Sequence, residues 1–423
     1  MKTDPLARQW KVRLFSTPSI IVYLLCILYF SAYVDRVNLS TASSTIRREF
    51  GISNVEMGFV FSAFSYPYLL FMVFGGWLAD RFGARRVLAV CVTVAAVATF
   101  ATSLTTGVVG LFVCRLVLGF GESVMFPTAT RAMQAWVPAA RYGWIQGITH
   151  SFSRLGNAVT PPIVAGLMFL WGWRGSFAVM GVLTVIWVAF WLAFYRDDPR
   201  KHPGISQDDL QRLPPRVAAT AKVIPWRRLI ARMTPVTLTY FCYGWSAWVY
   251  LNWLPSFFLE GQGFDLKKSA FFASSVFFAG VIGDTAGGVL SDAIHRRTGN
   301  VKIARLAVLW LGMSGSAICL TMMMFLHDIV AVSAALAAGF FFLELVIAPA
   351  WAMPMDIAPK YAGTASAMMN VGFAVAGILS PIVFGLLLDL TKSWYVPFTC
   401  SIGLLIVGMA MSLKTHPDRT FDD

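Results

Sequence analysis

Four charged residues stand inside long apolar stretches of this sequence. Asp35 and Arg36 are adjacent in the first stretch, and Arg115 and Glu122 are seven positions apart in a later one. On a helix this spacing is close to two turns, so Arg115 and Glu122 project from one face about 10 Å apart along the axis. The negative charges of the two acids and the positive charges of the two arginines nearly cancel. Such a set can hold an anion while an acid is protonated and release it when the acid ionises.

Three further residues could widen this set into a binding pocket. Arg154 could receive a second acid group of a ligand or could neutralise Asp35 or Glu122, and both interpretations stay open. Tyr243 and Trp248 combine a ring that packs on a ligand with a polar atom that hydrogen-bonds to it. We therefore favour a pocket for these two residues over an aromatic belt at a membrane surface.

Other polar residues in the apolar stretches are interpreted as structural. His150 is expected to be a hydrogen-bonded packing residue. Asp284 and Glu344 are assigned to structure or gating, and no basic residue is adjacent to Glu344 in the sequence. Tyr240 and Trp253 are assigned to the aromatic belt at the membrane surface.

The elements that carry these residues must be membrane helices. Of the 423 residues, 57% are hydrophobic and 13% are charged, and the mean hydropathy is +0.66. Soluble domains are about 45–50% apolar and about 25% charged, so soluble, disordered and disulfide-rich secreted classes are excluded. The six cysteines lie in apolar runs without a CxxC spacing, and nucleotide, metal and nucleophile motifs are absent, so we expect no metal, no cofactor and no enzymatic activity. The net charge of +13 is scattered along the chain, which disfavours nucleic-acid binding.

Twelve apolar spans can be placed on the chain, and they predict an all-α membrane protein. Their approximate limits are 19–40, 55–78, 87–106, 108–135, 143–170, 174–195, 233–258, 269–292, 303–325, 328–353, 362–388 and 394–413. An even number of spans puts both termini on one side. The segments on that side carry 23 Lys and Arg residues against 6 on the other, which predicts that both termini are cytoplasmic.

The chain divides into two similar halves. A loop rich in Pro and charge, 196–232, is predicted as a cytoplasmic linker between two six-helix bundles, 1–195 and 233–423. After span two the sequence reads Gly75-Gly76-Trp77-Leu78-Ala79-Asp80-Arg81-Phe82-Gly83-Ala84-Arg85-Arg86, and after span eight it reads Gly287-Gly288-Val289-Leu290-Ser291-Asp292. The two aspartates are about half a chain apart, which predicts a parallel repeat of two halves.

The segment after span two, its second copy and the twelve-span pattern resemble the major facilitator superfamily, whose signature loop joins spans two and three. The resemblance covers the whole chain. It implies a fold of two six-helix bundles and a charge network that latches the bundles on the cytoplasmic side. Gating is accordingly expected from Asp80, Arg81, Arg85, Arg86, Arg131 and Asp292.

Two motifs also resemble the anion:cation symporter family of that superfamily, with the closest likeness to bacterial galactonate and sugar-acid proton symporters. They are Tyr33-x-Asp35-Arg36 in span one and Arg115-x-x-x-Gly119-x-x-Glu122-x-x-x-x-Pro127 in span four. The resemblance implies that Asp35 and Glu122 take up protons, that Arg36 contacts the substrate carboxylate, and that Arg115 couples Glu122 to the site.

The same family carries Trp and Asn near its ligand at the positions of Trp351 and Asn370. Galactonate-type carriers lack an arginine at the position of Arg154, a departure that favours a diacid or an aromatic acid over a simple aldonate. Substrate contacts are thus expected from Tyr33, Arg36, Arg115, Arg154, Tyr243, Trp248, Trp351 and Asn370.

These features predict a secondary transporter that imports an organic anion with protons by alternating access. We expect it to act as a monomer in the lipid bilayer of a bacterial inner membrane. The pattern fits aldonates, hexuronates, aldarates, tartrate and aromatic carboxylates alike. The alternative is a proton-driven exporter of drugs or amphiphilic solutes on the same fold, which the arginines inside the spans disfavour because they would repel cations.

Overall fold

The part of the chain that the structure describes is almost entirely helical, and most of its helices are α-helices. The structure is a computed structural model that describes residues 16–72, 74–137, 142–212 and 225–421. Its α-helices are α1 Thr17–Phe50, α2 Asn54–Ala63, α3 Ser65–Phe71, α4 Phe74–Phe82, α5 Ala84–Thr102, α6 Val108–Ser123, α7 Met125–Trp136, α8 Tyr142–Phe194, α9 Gln207–Arg212, α10 Trp226–Ser256, α11 Leu266–Thr298, α12 Val301–Met323, α13 Ile329–Glu344, α14 Ile347–Ile357, α15 Ala362–Thr391 and α16 Val396–Ser412.

These helices fall on the predicted spans. Span two is built from α2, α3 and α4, span four from α6 and α7, spans five and six from α8, and span ten from α13 and α14. In the described ranges, eight helical segments are long and apolar enough to cross a membrane, and α16 is a shorter apolar helix. The prediction of an all-α membrane protein is confirmed.

Breaks in three of these helical segments shape the interior. Gly172 divides α8 into two helices with φ +68°, a backbone conformation that costs glycine little because it has no Cβ. Val124 separates α6 from α7, and residues 345–346 separate α13 from α14. An acidic residue lies near the end of the helix before each of the last two breaks. Glu122 is the penultimate residue of α6, and Glu344 is the last residue of α13.

The two halves of the chain pack against each other through α1 with α10, α2 with α15, and α8 with α11. The α2–α15 contact is close enough to require glycine. A Cβ on Gly58 would lie 2.5 Å from the carbonyl oxygen of Pro381, and a Cβ on Gly385 would clash with the backbone of Asn54. Small residues at such crossings let membrane helices approach to backbone contact, where dispersion is strongest.

Polar groups also join the halves where α1, α10 and α15 end, a region called the far end below. The hydroxyls of Ser43 and Ser256 are 2.8 Å apart, and Arg47 forms an ion pair with Glu260. Asp389 accepts hydrogen bonds of 2.7 and 2.8 Å from the first turn of α2, where a carboxylate favours the positive end of the helix dipole. The far end is therefore closed by contacts between the two halves.

Candidate functional site

Arg36 on α1 and Glu122 on α6 form a buried ion pair. Both Nε and Nη2 of Arg36 donate to Oε2 of Glu122, at 3.0 and 2.9 Å, and the two side chains are 4% and 0% exposed. Within the described part of the chain, Oε1 of Glu122 has no hydrogen-bond partner. The cost of desolvating such a pair roughly offsets its attraction, so stability alone does not explain why it is here.

Aromatic rings surround the guanidinium of Arg36. Its carbon Cζ lies 4.7 Å from the ring centroid of Tyr33, 4.8 Å from that of Phe64 and 5.4 Å from that of Tyr68. These rings exclude water and attract the cation through their faces. An anion that replaced Glu122 would therefore meet the guanidinium in a poorly screened environment, where electrostatic attraction is strong.

Asp35 and Arg115 complete a set of four charges that we call the first cluster, together with Arg36 and Glu122. Asp35 is 4% exposed and lies near the other three, although it forms no ion pair within the described residues. Arg115 is 2% exposed, and its Nε and Nη2 have no hydrogen-bond partner there. The structure thus brings together the four residues that the sequence singled out and leaves unpaired donors among them.

Arg154 on α8 joins the two halves of the chain. Its Nε lies 3.3 Å from Oδ2 of Asp284 on α11 and 3.3 Å from Oε2 of Glu344 on α13. The three side chains are 13%, 18% and 1% exposed, and the hydroxyl of Tyr243 donates to Oε1 of Glu344 at 3.4 Å. Arg154, Asp284 and Glu344 are called the second cluster below.

This pairing differs from one of the two interpretations of Arg154 that the sequence left open. Arg154 pairs with acids of the other half and not with Asp35 or Glu122. Glu344 has no basic neighbour in the sequence, and its basic partner Arg154 lies on α8, a distant helix. The contact across the halves could not be read from spacing along one helix.

The two clusters meet at the ring of Tyr33. Its centroid lies 4.7 Å from Cζ of Arg36 and 5.8 Å from Cζ of Arg154. His150 is close by, with its ring 5.4 Å from that of Tyr29 and 6.4 Å from that of Trp351. Tyr33 therefore contacts both Arg36, in the predicted anion site, and Arg154, whose partners the sequence did not reveal.

Stacked aromatics from the second half border this region. The rings of Tyr240 and Tyr243 stack with centroids 5.0 Å apart, and the indole nitrogen of Trp351 donates to the hydroxyl of Tyr240 at 2.9 Å. Tyr240 and Trp253 are 5% and 0% exposed, so their assignment to an aromatic belt was wrong. The i, i+3 spacing of Tyr240 and Tyr243, which puts both on one helix face, was the signal for Tyr240.

Two of the predicted contact residues have neighbours other than the charged residues. The indole of Trp248 donates to the carbonyl of Phe373 at 3.0 Å, and Nδ2 of Asn370 lies 4.0 Å from the sulfur of Met72. Among the described residues, neither Trp248 nor Asn370 has a hydrogen bond to a member of either cluster. Phe64 and Tyr68, which do border Arg36, carry no charge pattern that would have revealed them in the sequence.

The predicted gating residues of the first half lie at the end of the protein that is opposite to the far end. The side chain of Asp80 lies outside the described residues. Arg85 donates to the carbonyl of Leu192 at 2.5 Å, and its backbone N–H donates to Asp197 at 3.0 Å. Of the other gating residues predicted in the first half, Arg81 and Arg86 are exposed and Arg131 is partly buried.

Asp292, the predicted gating residue of the second half, pairs with Arg305. Its side chain is 65% exposed and lies 3.6 Å from Arg305. Arg305 itself pairs with Asp356 at 2.9 Å and donates to Ser291 at 2.8 Å. Arg305 and Asp356 were not assigned a role from the sequence, because neither belongs to the repeated segment.

An all-helical membrane protein with buried charges where its two halves meet has the architecture of a secondary transporter. A profile of the Major Facilitator Superfamily matches residues 25–381, and the chain belongs to that superfamily. The expected fold of twelve transmembrane helices in two six-helix bundles is thereby confirmed, and the chain is a transporter rather than an enzyme.

Two curated relatives are transporters of organic acids. A protein named as a probable sulfoacetate transporter of Cupriavidus necator is 49% identical over 411 residues, covering 96% of this chain and 95% of the relative. A probable galactarate/D-glucarate transporter of Escherichia coli is 30% identical over 401 residues and covers 88% of each chain. The chain is accordingly a secondary transporter close to carriers of organic anions.

A solved structure supports the fold. The crystal structure of a bacterial homolog of the human lysosomal transporter Spinster, in an inward-facing and unoccupied conformation, superimposes with a TM-score of 0.81. It covers 96% of this chain and 99% of its own, at 13% sequence identity. At this identity the likeness concerns the fold alone.

Proposed function

We propose that the protein imports a small organic anion together with protons across a bacterial inner membrane, as a monomer with both termini in the cytoplasm. The observation that carries this function is the buried ion pair of Arg36 and Glu122. In that pair, the carboxylate of Glu122 binds the guanidinium of Arg36, which an anionic substrate would need. Proton and substrate binding at one site are then linked.

The linkage has a defined direction. A proton on Glu122 removes the charge that holds Arg36, which frees both donors of the guanidinium for a substrate acid group. Asp35 lies close enough to Glu122 to share this role, and Arg115 supplies a second positive charge with unpaired donors. Proton and anion therefore favour each other's binding, which is the thermodynamic requirement for symport.

The substrate that we propose is a small carboxylate or sulfonate. The relative named as a probable sulfoacetate transporter supports a short acid, and the galactarate/D-glucarate relative supports the wider class of organic acids. Arginine suits both groups, because its planar fork binds the oxygens of carboxylates and of tetrahedral oxyanions in pairs. The same arginines disfavour an exporter of cationic drugs.

Transport would proceed by alternating access between the bundles 1–195 and 233–423, joined by the linker 196–232. The far end is closed in this structure, and Arg154 connects the halves next to the first cluster. Rocking of the bundles would open the far end. The charges at the other end, Asp80, Arg81, Arg85, Arg86, Arg131 and Asp292, would then form the opposing gate.

The test uses purified protein in liposomes that contain a pH-sensitive dye. Sulfoacetate, galactonate, glucuronate, glucarate and tartrate are added separately under a negative-inside potential. We expect at least one of these acids to acidify the lumen with the wild-type protein. Glu122→Gln should abolish the acidification, because glutamine cannot carry the proton.

The matched control is Asp328→Asn. Asp328 is an exposed acid that caps α13, and asparagine caps helices equally well. The control should acidify the lumen as the wild type does. Acidification that persists in Glu122→Gln would contradict the role of Glu122, and anion exchange without proton movement in the wild type would contradict proton coupling.

A further inference from the structure

Arg154 has no role in the proton and anion exchange described for Arg36. We propose that Arg154 is a second anion subsite and that the substrate is a short dianion, with one acid group on Arg36 and the other on Arg154. This assignment rests on the proposed function, since it specifies which anions the same site would take.

The first reason is that each half contains a buried acid at the end of a helix. Glu122 is the penultimate residue of α6 and Glu344 is the last residue of α13, and both helices are 16 residues long and are followed by a break. These acids are buried, at 0% and 1% exposure, and each pairs with an arginine of the first half, Glu122 with Arg36 and Glu344 with Arg154. If Arg36 exchanges its carboxylate for a substrate acid group, Arg154 has the parts to do the same.

The second reason is the set of unsatisfied polar atoms. Within the described residues, Oε1 of Glu122 and Oε2 of Glu344 are buried without a hydrogen-bond partner. Both ion pairs of Arg154 are 3.3 Å long, which is longer than the usual charge-assisted hydrogen bond of about 2.7–2.9 Å. Buried polar groups normally find close partners, so a guanidinium held by two long contacts fits an additional acid group.

The third reason is charge. The second cluster sets two carboxylates against one guanidinium, so Asp284 and Glu344 together exceed the charge of Arg154 by one. An excess negative charge is expensive at Glu344, whose side chain is 1% exposed, unless a proton neutralises it. With Glu344 protonated, Arg154 can release it and bind a substrate acid group in its place, as Arg36 does with Glu122.

Distance sets the size of the substrate. The ring centroid of Tyr33 lies 4.7 Å from Cζ of Arg36 and 5.8 Å from Cζ of Arg154. The two guanidinium carbons are therefore at most about 10.5 Å apart. A hydrogen-bonded acid group lies about 4 Å from a guanidinium carbon, so at most about 2.5 Å remains for the substrate between its acid groups. Two acid groups separated by one carbon fit this span. A six-carbon diacid in extended form does not.

Calorimetric binding to the purified full-length protein tests this assignment with three probes. Sulfoacetate carries two acid groups one carbon apart, propionate carries one acid group, and galactarate carries two at the ends of six carbons. We expect the wild type to bind sulfoacetate at least tenfold more tightly than propionate or galactarate. Arg154→Gln should weaken sulfoacetate binding at least tenfold and change propionate binding less than threefold.

Two further variants keep the outcome interpretable. The double variant Arg154→Gln with Glu344→Gln removes the cation and its buried partner together, so it tests the subsite even if the single variant fails to fold. It should show the same loss of preference for sulfoacetate. Arg174→Gln removes a half-exposed arginine that pairs with Glu49, and it should bind all three probes as the wild type does.

The outcomes separate the two hypotheses. If all three probes weaken equally in both Arg154 variants, Arg154 only supports the structure and the second subsite is refuted. A wild type that binds propionate as tightly as sulfoacetate refutes it as well, and leaves anion import standing. A wild type that binds none of the three probes refutes the short dianion as substrate, and the acidification assay described above then decides separately on anion import.

Discussion

Arg154 and Glu344 lie 3.3 Å apart on helices of opposite halves, whereas Arg36 and Glu122 belong to the same half. If the halves rock as we propose, the first distance would change and the second would not. The Arg36–Glu122 pair could then respond to protons and substrate in every conformation. The Arg154–Glu344 pair, in contrast, would also respond to the conformation of the transporter.

The first prediction concerns exchange without net transport. Asp35→Asn should abolish proton-driven accumulation and retain exchange of labelled anion across the membrane, because an amide resembles the protonated acid that accompanies the bound substrate. Accumulation and exchange are measured in the same liposomes, with sulfoacetate on both sides for the exchange. Asp328→Asn is the control and should retain both activities. Loss of both in Asp35→Asn would mean that Asp35 acts in binding rather than in coupling.

The second prediction concerns the geometry at Arg36. Lysine keeps the charge but lacks the planar fork that now donates at 3.0 and 2.9 Å to one carboxylate oxygen. We expect Arg36→Lys to weaken substrate binding about tenfold, which corresponds to about 1.4 kcal/mol, and Arg36→Ala to remove detectable binding. Binding is measured by calorimetry. Intact affinity in Arg36→Ala would show that the anion binds elsewhere.

The sequence singled out the members of the first cluster because a charged side chain inside an apolar span is rare. Hydropathy marks Asp35, Arg36, Arg115 and Glu122, and helical spacing puts Arg115 and Glu122 on one face. The structure then shows that the two spans bring these side chains together.

The second cluster could not be predicted in the same way. Arg154, Asp284 and Glu344 come from three spans of two halves, and their contact depends on how those halves pack. The rings of Phe64 and Tyr68 pose the same difficulty, since an aromatic residue beside a cation looks in sequence like any other core residue. Pairings between distant spans require the three-dimensional structure.

The third prediction concerns the number of protons. The titratable and charged groups of the two clusters are three arginines, four acids and the nearby His150, so with His150 neutral the net charge is one negative. A dianion that enters with two protons leaves this charge unchanged, which avoids burying additional charge in the membrane. We therefore expect electroneutral uptake of two protons per sulfoacetate, faster at lower external pH.

Glu344→Gln tests this count. It removes the acid that we expect to carry one of these protons, the other being shared by Glu122 and Asp35, so one proton should enter per dianion and uptake should become electrogenic. An inside-positive potential should then accelerate uptake by the variant and have no effect on the wild type. Proton and sulfoacetate fluxes are recorded together, with the potential set by potassium and valinomycin. An unchanged ratio of two in Glu344→Gln would assign the second proton to another group.

The fourth prediction concerns the closure of the far end. The hydroxyls of Ser43 on α1 and Ser256 on α10 are 2.8 Å apart, so cysteines at both positions should form a disulfide under mild oxidation. The crosslink would hold the far end closed and prevent the bundles from rocking. Uptake by the oxidised Ser43→Cys, Ser256→Cys protein should fall at least tenfold and return when a reductant is added. Ser43→Cys alone should transport under both conditions, which controls for the six native cysteines. Full uptake by the crosslinked protein would show that the far end does not open during transport.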